Sequence, residues 1–181
     1  MNMIYKKTWK YILIKDDTDF CIKFKLFRPK ALKDFSDVSF GDVGGYVQGY
    51  RNLSQTGNCW IYNFAKVYGN TIVSENARIY DYAMVCENAK VYGKARVYEN
   101  AMIKGQSIVY GRAQIYGNTI LSGNVQIYGK AKVYDDAIIF DNAIIYGDAQ
   151  VCNNVIVSGN SKVFGKAKVC GDNIRNKIIG E

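Results

Sequence analysis

An aliphatic residue recurs at every sixth position from Ile61 to Val169, and this period constrains the fold more than any other feature of the chain. All nineteen positions hold Ile, Leu or Val, and the residue two before each is Ala at twelve of them. The residue two after each is Gly at eleven positions and Asn, Asp or Glu at the others. Residues two apart on a strand point to the same side, so each hexad places a small and a large apolar side chain on one buried face.

The hexads predict parallel strands wound into stacked coils. Gly and Asn adopt positive φ at little cost, so the residues that follow each aliphatic position can turn the chain. The same positions of each hexad face inward, and this pattern never reverses along the chain. Because hairpins between such short strands would require a reversal, they are excluded, and each coil is expected to stack on the one before it.

The repeats AKVYGK, ARVYEN, AQIYGN and AKVYDD resemble those of the hexapeptide-repeat family, and the resemblance covers residues 59–172. It implies an all-β, left-handed parallel β-helix with three hexads in each triangular coil and about six coils. It also implies a parallel homotrimer. The chain further resembles small bacterial and prophage-encoded hexapeptide proteins that are labelled transferase-like.

The pattern divides the chain into three parts. These are an N-terminal β cap with an irregular first coil at 1–52, the hexapeptide β-helix at 53–172, and a C-terminal cap or tail at 173–181. In the first part, apolar and polar residues alternate over 20–26, and this predicts a strand that pairs with the YILI segment at 11–14 as a hairpin. Pro29 is expected to end that second strand.

The outward residues sort into three faces when they are taken at a spacing of eighteen. On the face that begins with Ile61, here called the cationic face, the column before the aliphatic residue is Trp60, Arg78, Arg96, Gln114, Lys132, Gln150 and Lys168. The column after it contains the tyrosines Tyr62, Tyr80, Tyr98, Tyr116 and Tyr134. The face that begins with Val73 is called the mixed face, because its columns combine Tyr, Ile, Lys and Gln.

The face that begins with Val67 is apolar after its first rung. Its outward residues include Met84, Met102, Ile120, Ile138, Phe140 and Ile156, and these define the apolar face. Burying one such side chain stabilises by roughly 1.5–3 kcal/mol, so an uncovered stripe is costly in water. We predict that these residues form a homotrimer interface; a hydrophobic ligand or a partner protein is the alternative.

Two interpretations of the tyrosine column remain open. Stacked rings on neighbouring strands stabilise a sheet, which is sufficient to explain Tyr at this position. The alternative is a platform for flat anions such as nucleotides, where rings hold a base and cations hold phosphate. Its candidate ligand-binding residues are Arg78, Tyr80, Arg96, Tyr98, Tyr116, Lys132 and Tyr134.

The absence of histidine excludes most of the chemistry that the resemblance implies, because acetyltransferases of this family use His as a general base and its carbonic anhydrases hold zinc with His. No loop interrupts the hexads between 59 and 170. We therefore predict no catalytic residue, metal site or cofactor. Cys152 and Cys170 fall on adjacent rungs, where we expect free thiols; a redox pair or a soft-metal site is the alternative.

The sequence thus predicts a cytoplasmic, homotrimeric binding protein that holds a small anionic, nucleotide-like ligand in intersubunit grooves or blocks a host protein, as a prophage anti-defence factor would. No membrane partner is expected, since the chain has no run of eighteen apolar residues. Sequence-specific nucleic-acid binding is not expected either. The alternatives are an acyl-CoA-dependent acyltransferase without the usual His and a purely structural β-helix.

Overall fold

A computed structural model of the 181-residue chain describes residues 9–15 and 25–181. Three sheets run along the molecule, and each regular coil contributes one short parallel strand to each sheet. The sheet of the apolar face also contains the N-terminal strands β1 (Tyr11–Lys15), β2 (Phe27–Ala31) and β3 (Tyr46–Val47). The all-β parallel coil that the hexads predict is confirmed.

The strand bounds follow the hexads. After β3, the sheet of the apolar face contains Lys66–Val67, Met84–Val85, Met102–Ile103, Ile120–Leu121, Ile138–Ile139, Ile156–Ser158 and Ile174–Arg175. The sheet of the cationic face contains Trp60–Ile61, Arg78–Ile79, Arg96–Val97, Gln114–Ile115, Lys132–Val133, Gln150–Val151 and Lys168–Val169. The sheet of the mixed face contains Ile72–Val73, Lys90–Val91, Ile108–Val109, Gln126–Ile127, Ile144–Ile145, Lys162–Phe164 and Ile178–Gly180.

The coil number is about eight, compared with the about six expected from the hexads. At the start, β3 pairs in parallel with Lys66–Val67, and Leu53 bridges to Val73. At the end, Ile174–Arg175 and Ile178–Gly180 pair in parallel with the strands one coil below. Backbone pairing therefore continues past the point where the side-chain pattern stops, because the ladder requires only backbone groups.

The N-terminal hairpin is confirmed, but its second strand lies later than predicted. β1 pairs antiparallel with β2, with Leu13 opposite Pro29. The predicted strand at 20–26 lies mostly outside the described residues. The prediction that Pro29 ends a strand is wrong: its carbonyl accepts a hydrogen bond from the Gly44 N–H, so its missing donor faces that edge and not β1.

The core is the column of small and aliphatic residues from each hexad. The aliphatic residue is buried in every hexad from Ile61 to Val169, as are its Ala partners. Ser and Thr replace Ala at a few inward positions; Ser107 Oγ donates to the Lys104 carbonyl at 2.7 Å and Thr119 Oγ1 donates to the Tyr116 carbonyl at 2.7 Å. Their hydroxyl groups are thus satisfied within the same coil.

Cys152 and Cys170 form a disulfide, so the expectation of free thiols at these positions is wrong. Neighbouring parallel strands place their Cα atoms 4.6 Å apart, a separation that a disulfide accepts. Cys59 and Cys86 are free and buried, and burial raises the pKa of both thiols.

Candidate functional site

The tyrosines of the cationic face stack on one another. The ring centroids of Tyr62 and Tyr80 are 4.6 Å apart, those of Tyr98 and Tyr116 are 4.8 Å apart, and those of Tyr116 and Tyr134 are 5.0 Å apart. The interplanar angles are 15° or less. Within each stack the ring faces cover one another, so only edges and hydroxyl groups point outward.

The ladder is interrupted once in the described coils, between Tyr80 and Tyr98, which do not stack on each other although they occupy adjacent coils. Tyr80 stacks on Tyr62 of the coil below, and its hydroxyl group accepts a hydrogen bond from Arg78 Nη1 of its own coil at 3.5 Å. Tyr98 is tied to the coil above through its hydroxyl group and Gln114 Oε1, 3.4 Å apart. The interruption leaves one face of each ring uncovered by the ladder.

A group of cations lies beside this interruption. Arg78, Lys94 and Arg96 line a surface pocket of about 330 Å³, and the other lining residues are polar: Ser36, Asn58 and Asn76. Guanidinium, ammonium and amide N–H groups all donate hydrogen bonds, so the lining suits an anion. A larger hollow of about 540 Å³ near the N-terminal end contains a single cation, Arg51.

Arg78 also attaches the N-terminal cap to the cationic face. Its guanidinium donates to Asp37 Oδ2 at 2.6 Å and to Ser36 Oγ at 2.6 Å, and the Tyr62 hydroxyl donates to Asp37 Oδ1 at 2.9 Å. Partial burial would raise the pKa of Asp37, but the hydrogen bond from Tyr62 and the charge of Arg78 lower it below its usual value. Arg78 is therefore partly neutralised, whereas Lys94 and Arg96 have no carboxylate partner among the residues that the structure describes.

Of the seven residues that the sequence predicts for ligand binding, Arg78 and Arg96 line the pocket together, and Tyr80 contacts Arg78. Tyr98 lies two residues after Arg96 but does not line the pocket. Tyr116 lies inside a closed stack one coil further on. Lys132 and Tyr134 lie two coils beyond Arg96 and Tyr98. Sequence analysis missed Lys94, although its signal was present: the same eighteen-residue sorting places it in a column two residues before Arg96.

The predicted interface residues do share one face. Met84, Met102, Ile120 and Ile138 occupy successive parallel strands in register, each paired with the next. They are half-buried in the single chain, as are Phe140 and Ile156. The stripe is thus continuous over at least five coils.

Other functional features are few in the described parts of the chain. No group of three or more Cys, Asp or Glu side chains within 9–15 and 25–181 is arranged to hold a metal ion. Across those same residues, no helix has the length and apolar character needed to cross a membrane.

Comparison with known proteins gives one partial match. No family model matches the sequence. A 45-residue segment, 24% of the chain, is 42% identical to part of a protein of Escherichia coli (strain K12) named "Uncharacterized acetyltransferase YdcK". That segment corresponds to 14% of the relative's length. The unbroken hexads, the parallel coils that they form and this partial match together support the resemblance to the hexapeptide-repeat superfamily.

Proposed function

We propose that this protein binds a small, nucleotide-like anion without transforming it, at the pocket beside the interruption of the tyrosine ladder. The observation that carries the proposal is the coincidence of two features on adjacent coils. Lys94 and Arg96 line the pocket and have no carboxylate partner among the described residues. The rings of Tyr80 and Tyr98, two residues after Arg78 and Arg96, do not stack on each other. Phosphate groups would bind the cations, and a base would pack against a ring.

The closed stacks limit where a base can bind. Aromatic side chains hold bases through their faces. Because Tyr98, Tyr116 and Tyr134 cover one another at 4.8–5.0 Å, a base cannot enter between them without separating the coils. We therefore place the base at the interruption and not between these stacked rings.

Titration calorimetry with a nucleoside diphosphate and with inorganic pyrophosphate tests this proposal. Pyrophosphate measures the cation contribution alone, and the nucleoside diphosphate adds the base. Replacing Tyr98 with Leu should remove the affinity difference between the two ligands, and Lys94→Gln with Arg96→Gln should weaken both by about tenfold or more. Tyr128→Leu, in the ladder of the mixed face, is the control. Failure of both ligands to bind the wild-type protein would refute the proposal.

We also propose that the protein acts as a homotrimer through the apolar face. The support is the continuous stripe of Met and Ile, which is half-buried in the single chain and would be covered by a second copy. In a three-sided coil the corner that contains Lys94 lies opposite the apolar face. The anion site would then face outward rather than into the intersubunit groove that the family resemblance implies.

Light scattering tests the trimer. Ile120→Asp with Ile138→Asp should convert a particle of three chains into one of a single chain. Ile108→Asp with Ile144→Asp makes the same chemical change on the mixed face and should leave the mass unaltered. An unchanged mass for the first variant would exclude the apolar face as the interface.

Acyl transfer is the second candidate, and the partial match to a protein named as an acetyltransferase favours it. The chain contains no His, so another group would have to act as general base. Release of free thiol from acyl-CoA in the presence of amine or sugar acceptors would support this candidate over the binding role. A cytoplasmic location, a host-protein partner and a prophage anti-defence role stay predictions.

A further inference from the structure

The corner between the mixed and cationic faces contains a regular pattern of positive charge, of which the proposed nucleotide site uses only the first pair of cations, Lys94 and Arg96. Gly-Lys-Ala-Arg at 93–96, Gly-Lys-Ala-Lys at 129–132 and Gly-Lys-Ala-Lys at 165–168 occur thirty-six residues apart. This corner, with its two outward columns from Lys94 to Lys168, is called the basic corner. Thirty-six residues correspond to two coils, so a pair of cations recurs on every second coil.

The intervening coils carry less positive charge at the same two positions. One holds Arg112 with Gln114, a single cation, and the other holds Asp148 with Gln150, a carboxylate and no cation. The side-chain oxygens of Gln114 and Gln150 lie 3.4 Å from the hydroxyl groups of Tyr98 and Tyr134. Their amide N–H groups therefore remain as neutral donors between the cation pairs.

Most of these cations have no acidic partner. Among the described residues, no carboxylate lies within ion-pair distance of Lys94, Arg96, Lys132, Lys166 or Lys168. Lys130 has an exposed partner, Asp148, at 3.7 Å. A pair this exposed contributes little, so the charge of the corner is available to a ligand.

The pattern sets the dimensions of a ligand. Neighbouring strands are about 4.8 Å apart, so cation pairs repeat at about 9.6 Å and three pairs extend over about 19 Å. Uncompensated charges in a straight row attract a linear polyanion. The two-coil period favours a polymer that is charged on every second unit, whereas a nucleic acid or a polyphosphate is charged on every unit.

The adjoining tyrosine ladder also disfavours a nucleic acid. The rings of Tyr92, Tyr110, Tyr128 and Tyr146 stack at 4.8–5.1 Å, so their faces are closed to bases. Their hydroxyl groups have no hydrogen-bond partner within the described part of the chain and are free to bond to sugar hydroxyls. Half-buried rings with free hydroxyl groups suit a carbohydrate.

We infer that the basic corner binds an extended acidic polysaccharide in which charged and neutral sugars alternate. The cation pairs hold the acidic sugars, and the Gln amides with the tyrosine hydroxyls hold the neutral ones. Because the corner lies opposite the apolar face, trimer formation through that face leaves it open. The inference shares Lys94 and Arg96 with the nucleotide site but does not depend on nucleotide binding.

The test compares polymers of matched charge by titration calorimetry or fluorescence anisotropy. A hyaluronan oligosaccharide that reaches all three cation pairs is expected to bind more tightly than a tetrasaccharide. It should also bind more tightly than polyphosphate or oligothymidylate of the same total charge. Tighter binding of polyphosphate would refute the alternation of charge, and tighter binding of oligothymidylate would assign the corner to single-stranded nucleic acid instead.

Variants separate this site from the nucleotide site. Lys130→Gln with Lys132→Gln, and Lys166→Gln with Lys168→Gln, should each weaken binding of the long oligosaccharide by about tenfold while pyrophosphate binding stays unchanged. Lys90→Gln with Lys162→Gln removes the same charge from the mixed face and should have no effect. An equal loss of oligosaccharide affinity in that control would show that binding depends on overall charge and not on the basic corner, and it would overturn the inference.

The double variant Asp148→Gln with Gln114→Lys provides a final test, because it makes the row of cations along the basic corner more uniform. Binding of polyphosphate should rise, and binding of hyaluronan should not. A similar rise for both polymers would show that total charge, and not its two-coil period, determines binding.

Discussion

Two corners of the coil turn the chain with different residue types. Both need a residue with positive φ after the strand. The basic corner uses Gly in five consecutive coils from Gly93 to Gly165, whereas the corner between the cationic and apolar faces, here the acidic corner, uses Asn, Asp or Glu in most coils. Glu99 Oε2 accepts the Gly117 N–H at 2.8 Å, and Asp135 Oδ2 accepts the Asn153 N–H at 3.1 Å.

This difference between the corners indicates which charged side chains are available to bind a ligand. Carboxylates of the acidic corner are engaged with backbone N–H groups of the next coil, so they stabilise the stack. No hydrogen bond or ion pair of the Lys94 or Arg96 side chain is found among the described residues, and at the turn before them it is the Gly93 N–H that donates to Glu75 Oε2 of the coil below, at 3.0 Å. The cations of the basic corner are therefore available to a ligand, whereas the carboxylates of the acidic corner are occupied by backbone hydrogen bonds.

The largest expected effect is a loss of stability when a glycine of the basic corner is replaced by a larger residue. Gly129 has a φ of 74°, and a Cβ there would lie 2.8 Å from the backbone N and O of Gly147. Gly129→Val should lower the free energy of unfolding by roughly 2–5 kcal/mol through left-handed strain and overlap with the next coil. Urea denaturation measures the loss. Gly49→Val, where φ is extended and a Cβ meets no atom within 4 Å, is the control.

A smaller effect is expected at the acidic corner. Glu99→Ala removes the acceptor for the Gly117 N–H and should lower the free energy of unfolding by about 1 kcal/mol. Asp172→Ala removes an exposed carboxylate that has no hydrogen-bond partner in the described residues, and it should change stability by less. Equal effects from the two variants would contradict a structural role for the acidic ladder.

Burial raises the pKa of one tyrosine in each ladder, Tyr98 on the cationic face and Tyr110 on the mixed face. Burial, with added repulsion from Tyr116 and Glu99, raises the pKa of Tyr98 from 10.0 to about 12. At Tyr110 burial and Tyr92 raise the pKa, without an acidic neighbour. Since its pKa is higher in the folded than in the unfolded state, Tyr98 stabilises the fold below pH 10, and that stability is lost as the pH rises toward about 12.

Tyrosinate absorbance in two variants measures the difference. Tyr98→Phe should remove a late-titrating group, and Tyr110→Phe should remove an earlier one. Loss of the same part of the titration curve in both variants would contradict the influence of the acidic corner.

The smallest effect concerns the free cations. Lys94→Gln with Arg96→Gln should change the free energy of unfolding by less than about 0.5 kcal/mol, because neither side chain has an ion-pair partner among the described residues. Thermal unfolding of the variant and the wild type checks this. A large loss of stability would mean that these cations belong to the fold and not to a site.

The features of the molecule that depend on local periodicity can be predicted from the sequence. The coil, the buried column from Ile61 to Val169 and the shared face of Met84, Met102 and Ile120 follow from spacing alone. The interruption between Tyr80 and Tyr98 did not follow, because it depends on side-chain directions set by Arg78 and Gln114. The contact of Asp37 with Arg78 joins residues forty-one apart, and no repeat predicts it.

The end coils were missed for a related reason. Backbone groups of residues 174–180 continue the parallel ladder although their side chains no longer follow the hexad. The disulfide of Cys152 and Cys170 was recognised as a neighbouring pair but assigned to free thiols, because cysteine spacing alone does not fix the oxidation state.

The most direct test of the account is a pyrophosphate binding isotherm at low ionic strength. The account predicts saturable binding at one site per chain, lost in Lys94→Gln with Arg96→Gln and retained in the charge-matched control Lys90→Gln with Lys104→Gln. Equal binding by the wild type and the Lys94/Arg96 variant, or an equal loss in the control, would contradict the claim that this pocket is the anion site.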